Sequence, residues 1–167
     1  MTRRQAGLLL ALAHVALVGS LGLKLLVDRA RLPRAWARTM PFDPSTPLRG
    51  RYVRLGVEVP LENAVAGEGV DGEPGVRLRA VDGKVVGEID SGTGAPRLQL
   101  RHEAGALSSS RLAEPVAFFI PEHVPDPSVR QPGEELWVEL TLPARAWPRP
   151  IRLGVMRGGK LTPLELR

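Results

Sequence analysis

The sequence predicts an all-β domain, an antiparallel β-sandwich or small barrel of about eight strands, preceded by one N-terminal transmembrane helix. Three observations lead there. Residues 8–27 form an apolar run with nine Leu and three Val. From residue 48 onward apolar residues recur at every second position, between Gly, Pro and Asp turns. Past residue 47, no stretch keeps a helical period for long.

The apolar run has 20 residues, about the number that spans a bilayer core at a rise of about 1.5 Å each. Its Leu and Val, at about −0.3 to −0.6 kcal/mol apiece, contribute roughly −4 to −7 kcal/mol toward insertion. Lys24 lies near the end of the run, where its stem reaches the interface. His14, near the middle, reads as a tolerated polar residue rather than a proton or ion ligand. The run is longer than the apolar core of a secretion signal, and no small-x-small site follows closely. Ala35-Trp36-Ala37 has that pattern but lies too far downstream. The expectation is therefore an uncleaved anchor over residues 1–27.

Charge supports a membrane and argues against nucleic acid. The net charge is +5, but residues 1–40 hold seven basic side chains and one acid, whereas residues 41–167 hold 16 basic and 17 acidic ones. The positive excess flanks the apolar run, as suits an anionic lipid surface. A nucleic-acid domain would carry a basic patch of its own. Orientation is contested within the sequence. Arg3 and Arg4 precede the run while Lys24, Arg29, Arg31, Arg34 and Arg38 end or follow it, so the positive-inside rule by itself favours a cytoplasmic domain.

Residues 28–47 read as a basic, Pro-rich stalk kept extended by Pro33, Pro41, Pro44 and Pro47, with Trp36 as an interfacial anchor. The β-rich domain is then residues 48–167. Its expected core comprises Val53, Leu55, Val57, Phe118, Ile120, Leu136, Val138, Leu140, Ile151 and Leu153, all at alternating positions. Asp82-Gly83 and Gly158-Gly159 are hairpin turns. Gly67–Gly75 is a polar, Gly-rich loop, and Ala104–Leu112 holds at most a short helical turn.

The ingredients for catalysis are thin. There is no cysteine, which removes zinc–thiolate sites and thiol nucleophiles. His102 follows a strand and faces solvent. His123 with Glu122 and Asp126 has the residue types of a metal site, but neighbouring ligands point apart in extended chain. Ser108-Ser109-Ser110 lacks a nucleophile elbow. Gly92-Thr93-Gly94 lacks the Lys-Ser ending and the helix of a phosphate loop, and reads as a turn. Lys84 and Lys160 lie in hairpins, where a buried base is out of place. The chain is read as a non-enzyme without catalytic residue, metal or cofactor.

Two segments stand out: Asp43 to Leu55, and Phe118-Phe119-Ile120-Pro121-Glu122. There the chain resembles the GDYXXLXY family of membrane-anchored bacterial proteins of unknown function. Gly50, Tyr52 and Leu55 match its first motif, while Arg51 stands for the Asp and Val57 for the last Tyr. Phe118, Phe119, Pro121 and Glu122 match the second. Val57 shares a face with Leu55, so that departure stays within the core; Arg51 reverses a charge. The resemblance implies a location in the cell envelope, an outward-facing domain and an integral membrane protein partner. It brings no activity or cofactor. The residues add that Tyr52 shares the polar face of its strand with Arg54, as a packed side chain or as a contact residue.

Together these readings give a membrane-anchored, non-enzymatic accessory or interaction module of the bacterial envelope. It has the lipid bilayer and an integral membrane protein as partners, with its domain on the periplasmic or extracellular side. The alternative is a small-ligand or glycan-binding envelope domain, which a concave pocket with convergent polar groups would favour. Candidate contact residues are Gly50, Tyr52, Arg54, Leu55, Phe118, Phe119, Pro121 and Glu122.

Overall fold

The computed structural model describes residues 3–41, 52–62, 73–90, 92, 96–103 and 106–166. The chain forms two compact units, Met1–Leu32 and Pro33–Arg167. The first is a single helix, α1 (Arg3–Arg31), of 29 residues. Its rise of about 1.5 Å per residue makes it about 43 Å long, more than the roughly 30 Å of a bilayer core. Its Leu and Val side chains are exposed throughout, and among the described residues it is the one helix long and apolar enough to cross a membrane. His14 turns its Nδ1 to the Leu10 carbonyl at 2.8 Å, so its polar edge is served by its own helix. Arg29 and Arg31 occupy the last turn, where cations face the negative end of the helix dipole.

The second unit is all-β, with ten strands: β1 (Arg34–Pro41), β2 (Tyr52–Val57), β3 (Val76–Val81), β4 (Lys84–Ile89), β5 (Leu98–Glu103), β6 (Ala106–Leu112), β7 (Val116–Phe119), β8 (Glu134–Thr141), β9 (Arg149–Arg157) and β10 (Lys160–Pro163). Eight of them form one sheet with the path β10-β9-β8-β1-β2-β7; β3 joins through β4, which also meets β1. β5 and β6 form a separate hairpin.

The stalk expected over residues 28–47 is therefore corrected. Only Leu32 and Pro33 separate the helix from β1, and β1 is the centre of the sheet. It pairs antiparallel with β8 from Arg34↔Thr141 to Arg38↔Trp137. On its other edge it meets β4 at Trp36↔Lys84 and β2 from Thr39↔Val57 to Pro41↔Leu55. Ala35, Ala37 and Thr39 face the core at 1%, 3% and 8% exposure. The Ala-Trp-Ala pattern is thus two core alanines flanking a side chain on the opposite face. That side chain is not an interfacial anchor. The Trp36 ring lies against Gly154 on β9, where an added Cβ would stand 2.8 Å from ring carbon Cζ3. Gly154 is thereby the one residue type that admits the indole.

The second added strand is β6. Its middle is Ser108-Ser109-Ser110, which masks its alternation, and Ser110 is buried with its hydroxyl donating to the Val59 carbonyl. The Val59 N–H returns a bond to the Ser110 carbonyl at 3.0 Å. This exchange fastens the β5–β6 hairpin to the chain beyond β2, and Leu98 and Leu112 complete its buried face.

Of the expected core, Val53, Leu55, Val57, Ile120, Leu136, Val138, Leu140 and Leu153 are buried. Phe118 packs against the cluster while partly exposed. Ile151 is only half-buried. The register of β8 against β9 passes from Glu139↔Arg152 to Leu140↔Pro150, so Ile151 is the extra residue of a bulge and loses its inward place. Asp82 and Gly83 both have positive φ, 49° and 73°, the backbone of a type I′ hairpin, as their sequence predicts. Gly50, Arg51, Pro44, Pro47, Thr93-Gly94 and most of the Gly67–Gly75 loop lie outside the described residues.

Because β1 supplies hydrogen bonds to three neighbours, its removal exposes the facing edges of β8 and β2. A fragment of residues 33–167 is expected to give a β-type circular dichroism spectrum and a cooperative melt. A fragment of residues 48–167, which lacks β1, is expected to be unfolded or aggregated. Equal melting midpoints for the two would show that β1 is dispensable.

Candidate functional site

The two segments singled out from sequence are neighbours in space. Tyr52, Val53, Arg54 and Leu55 pair antiparallel with Phe119, Phe118, Ala117 and Val116. Strand alternation then sorts the side chains. Val53 and Leu55 are buried, and Phe118 packs beside them. Tyr52, Arg54 and Phe119 take the other face. The Tyr52 and Phe119 rings lie 6.0 Å apart between centroids and are tilted by 55°, within the range of favourable aromatic pairs. Phe119 is 76% exposed. It ends β7, the last strand on this side of the sheet path.

Of the eight candidate residues, the structure brings together Tyr52, Arg54 and Phe119 on one surface, with Leu55 and Phe118 beneath them. Pro121 and Glu122 are exposed in the turn that follows β7. Glu122 and His123 are both exposed, and no group of three or more metal-ligating side chains occurs among the described residues. His102 is exposed beside Arg101.

A second surface was not singled out from sequence. On the outer face of β1, β8 and β9, Arg152 stacks over the Trp36 ring with its guanidinium carbon 5.4 Å from the centroid. Its Nε also donates to Glu139 at 2.6 Å. Lys84 lies 5.8 Å over the Trp137 ring, and the Trp137 indole N–H donates to Glu135 at 3.2 Å. Glu139, at an outward position, is only 7% exposed because Arg152 covers it. The alternation of Trp36, Arg38, Glu135, Trp137 and Glu139 was the available signal. On β1 the flanking Pro33 and Pro41 and the small inward alanines obscure it. Arg38 joins this face between Glu58 at 3.7 Å and Glu135 at 3.0 Å. Exposed pairs of this kind contribute about 0–1 kcal/mol each.

Among the described residues, the carboxyl groups of Asp90 and Glu134 are held below their ordinary range. Asp90 accepts the Gly92 N–H at 3.0 Å, and this bond is the main cause; the Arg77 guanidinium at 2.8 Å adds to it. Glu134 accepts the Gln131 N–H at 3.1 Å as its main cause, with Arg157 adding to it. Both therefore act as ionised clasps on loops.

Comparison of the chain with protein-family models, with curated proteins and with solved structures found no match.

The two clasps predict an acid response. Since the folded state lowers both values, the stability they contribute is fully present above the ordinary values of 3.8 and 4.5 and is lost as pH falls through the lowered ones. The melting midpoint of the full chain in detergent should hold steady down to about pH 5 and fall below about pH 4. Replacing both groups (Asp90→Asn with Glu134→Gln) should flatten that fall. An equally steep fall in the double variant would mean that other carboxyls carry it.

Proposed function

We propose that this protein is a membrane-anchored, non-enzymatic accessory or interaction module of the bacterial cell envelope. The observation that carries the proposal is the exposed apolar helix joined by two residues to the centre of the β domain. At about 3.3–3.6 Å per residue, that connection leaves no room for a long stalk. The domain is tethered to the bilayer with a high effective concentration toward anything else embedded there. The Tyr52–Phe119 surface supplies an apolar contact at the end of the sheet, where an integral membrane protein is the proposed partner. The resemblance to the GDYXXLXY family at Tyr52, Leu55, Phe118, Phe119, Pro121 and Glu122 supports the same assignment.

The side of the membrane follows from weighing two effects. The basic residues after the helix favour a cytoplasmic domain. Against this, long domains translocate largely regardless of charge, residues 41–167 are close to neutral, and the family resemblance implies export. We therefore place the domain on the periplasmic or extracellular side.

A photo-crosslinking amino acid at Phe119 in the full chain, expressed in bacterial membranes, tests the proposal. It should give a discrete adduct with an integral membrane protein, and Tyr52→Ala should reduce that adduct. The same probe at exposed Lys160 should give none. Equal labelling from both positions, or none from Phe119, would contradict the proposed surface. An alkaline phosphatase fused after residue 167 should be active; an inactive fusion with a fluorescent cytoplasmic reporter would reverse the orientation.

A further inference from the structure

The β5–β6 hairpin pairs Gln99 with Arg111 and Arg101 with Ser109, and then carries a bulge. His102 pairs with Leu107, so Ser108 is the extra residue, and its hydroxyl donates to the Arg101 carbonyl at 3.0 Å. A bulge bends its strand and re-aims the side chains beside it. Regular alternation sends adjacent residues to opposite faces, yet Arg101 and His102 both border one pocket of about 360 Å³. Gln99, Ser109 and Arg111 complete its polar lining.

The chemistry of that lining is one-sided. The Gln99 Oε1 accepts from the Arg111 Nε at 2.8 Å and from its Nη2 at 2.5 Å. These bonds occupy the amide oxygen, and they leave the Gln99 amide N–H groups and the outer N–H groups of the Arg111 guanidinium as donors. Ser109 adds a hydroxyl. Arg101 and His102 are exposed, and neither side chain makes a hydrogen bond or ion pair among the described residues. No carboxylate lies in the lining. Glu58, which forms a backbone bridge with Arg111, pairs its side chain with Arg38 at 3.7 Å. Two guanidinium groups and several neutral donors thus border one cavity without an anion to receive them. Guanidinium forks match the oxygens of a phosphate as well as those of a carboxylate. A tetrahedral dianion draws on both charges, whereas one carboxylate leaves a guanidinium unused.

We propose that this pocket binds an esterified phosphate group, with Arg101 and Arg111 as its charged partners and the Ser109 hydroxyl and Gln99 amide as neutral donors. This goes beyond the anchoring and the Tyr52–Phe119 surface, and rests on neither. The volume admits a phosphate together with part of its ester stem. A soluble phosphate ester and a lipid headgroup both present that chemistry.

The test uses the full ¹⁵N-labelled chain in maltoside micelles, which contain no phosphate. Sodium phosphate is titrated against sodium chloride at neutral pH and constant ionic strength, followed on the Arg101, Ser109 and Arg111 amides. Phosphate should shift these signals saturably in the millimolar range, and chloride should not. Arg101→Gln removes one charge from an exposed position and should weaken phosphate binding by about tenfold or more. Arg97→Gln removes the same charge from an exposed residue just before β5 that does not line the pocket, and should leave binding unchanged. Equal shifts with phosphate and chloride would overturn the proposal, as would equal weakening by the two variants or none from Arg101→Gln. Sodium acetate acting at the same concentration as phosphate would overturn the phosphate assignment. Glycerol phosphate and a short-chain phosphatidylglycerol then separate the sources. Tighter binding of the first supports a soluble ester, tighter binding of the second supports a lipid headgroup, and displacement of phosphate by neither would overturn the esterified ligand. Should Arg101→Gln fail to fold, Arg101→Lys, which keeps the charge and loses the fork, takes its place and should also weaken binding.

Discussion

The backbone hydrogen bonding of β1 on both of its edges is the constraint on which the rest of the domain depends. Its inward side chains are Ala35, Ala37 and Thr39, which contribute little apolar volume. What the strand contributes is pairing: β8 along one edge, β4 and then β2 along the other. Buried backbone groups that lose their partners are costly, and three strands would be left with such groups if β1 were absent. The small inward residues let the larger side chains of its neighbours, such as Leu55, Val57, Val138 and Leu140, fill the same layer.

The same strand links the apolar helix to the folded domain. Two residues separate it from α1, so the chain enters the domain at its centre rather than at a frayed end. The change of partner along β1 has a second consequence. Where it leaves β8, the edge of β8 from Glu134 to Leu136 is no longer paired with it, and a cleft of about 170 Å³ opens there, lined also by Arg38, Arg54, Ser128 and Arg130. The arginine-lined cleft is thus a product of topology: it exists because one strand serves two different neighbours in its two halves.

Much of this was legible in the sequence, for physical reasons that differ by element. Val53–Val57, Val76–Ala80 and Leu136–Leu142 carry large apolar residues at period two, and a half-buried strand is the simplest way to bury them. Asp82-Gly83 announces its turn because few residue pairs accept two positive φ angles. β1 was hidden because its inward residues are small and its outward ones are Arg, Trp and Arg between two prolines. β6 was hidden because its buried position is Ser110, satisfied by Val59 rather than by apolar contact. Ile151 was misplaced because a bulge shifts the register by one residue, and single-strand alternation contains no information about its partner. The candidate surface was partly legible. Tyr52 and Phe119 were each singled out, but their pairing spans 67 positions along the chain.

Two kinds of surface therefore lie close together around β2: an exposed aromatic pair and an arginine-lined cleft that shares Arg54 with the same strand. Both depend on β1 being a structural strand. Amide hydrogen exchange on the full chain in micelles tests that most directly. The Trp36 N–H donates to the Gly83 carbonyl at 2.8 Å, and the β1 amides directed at β8 are held in its ladder. These amides should exchange as slowly as those of β8 and β9, opening only with global unfolding. If residues 34–39 exchange at the rate of an open chain while β8 and β9 stay protected, β1 is a stalk after all and the fold described around it is wrong.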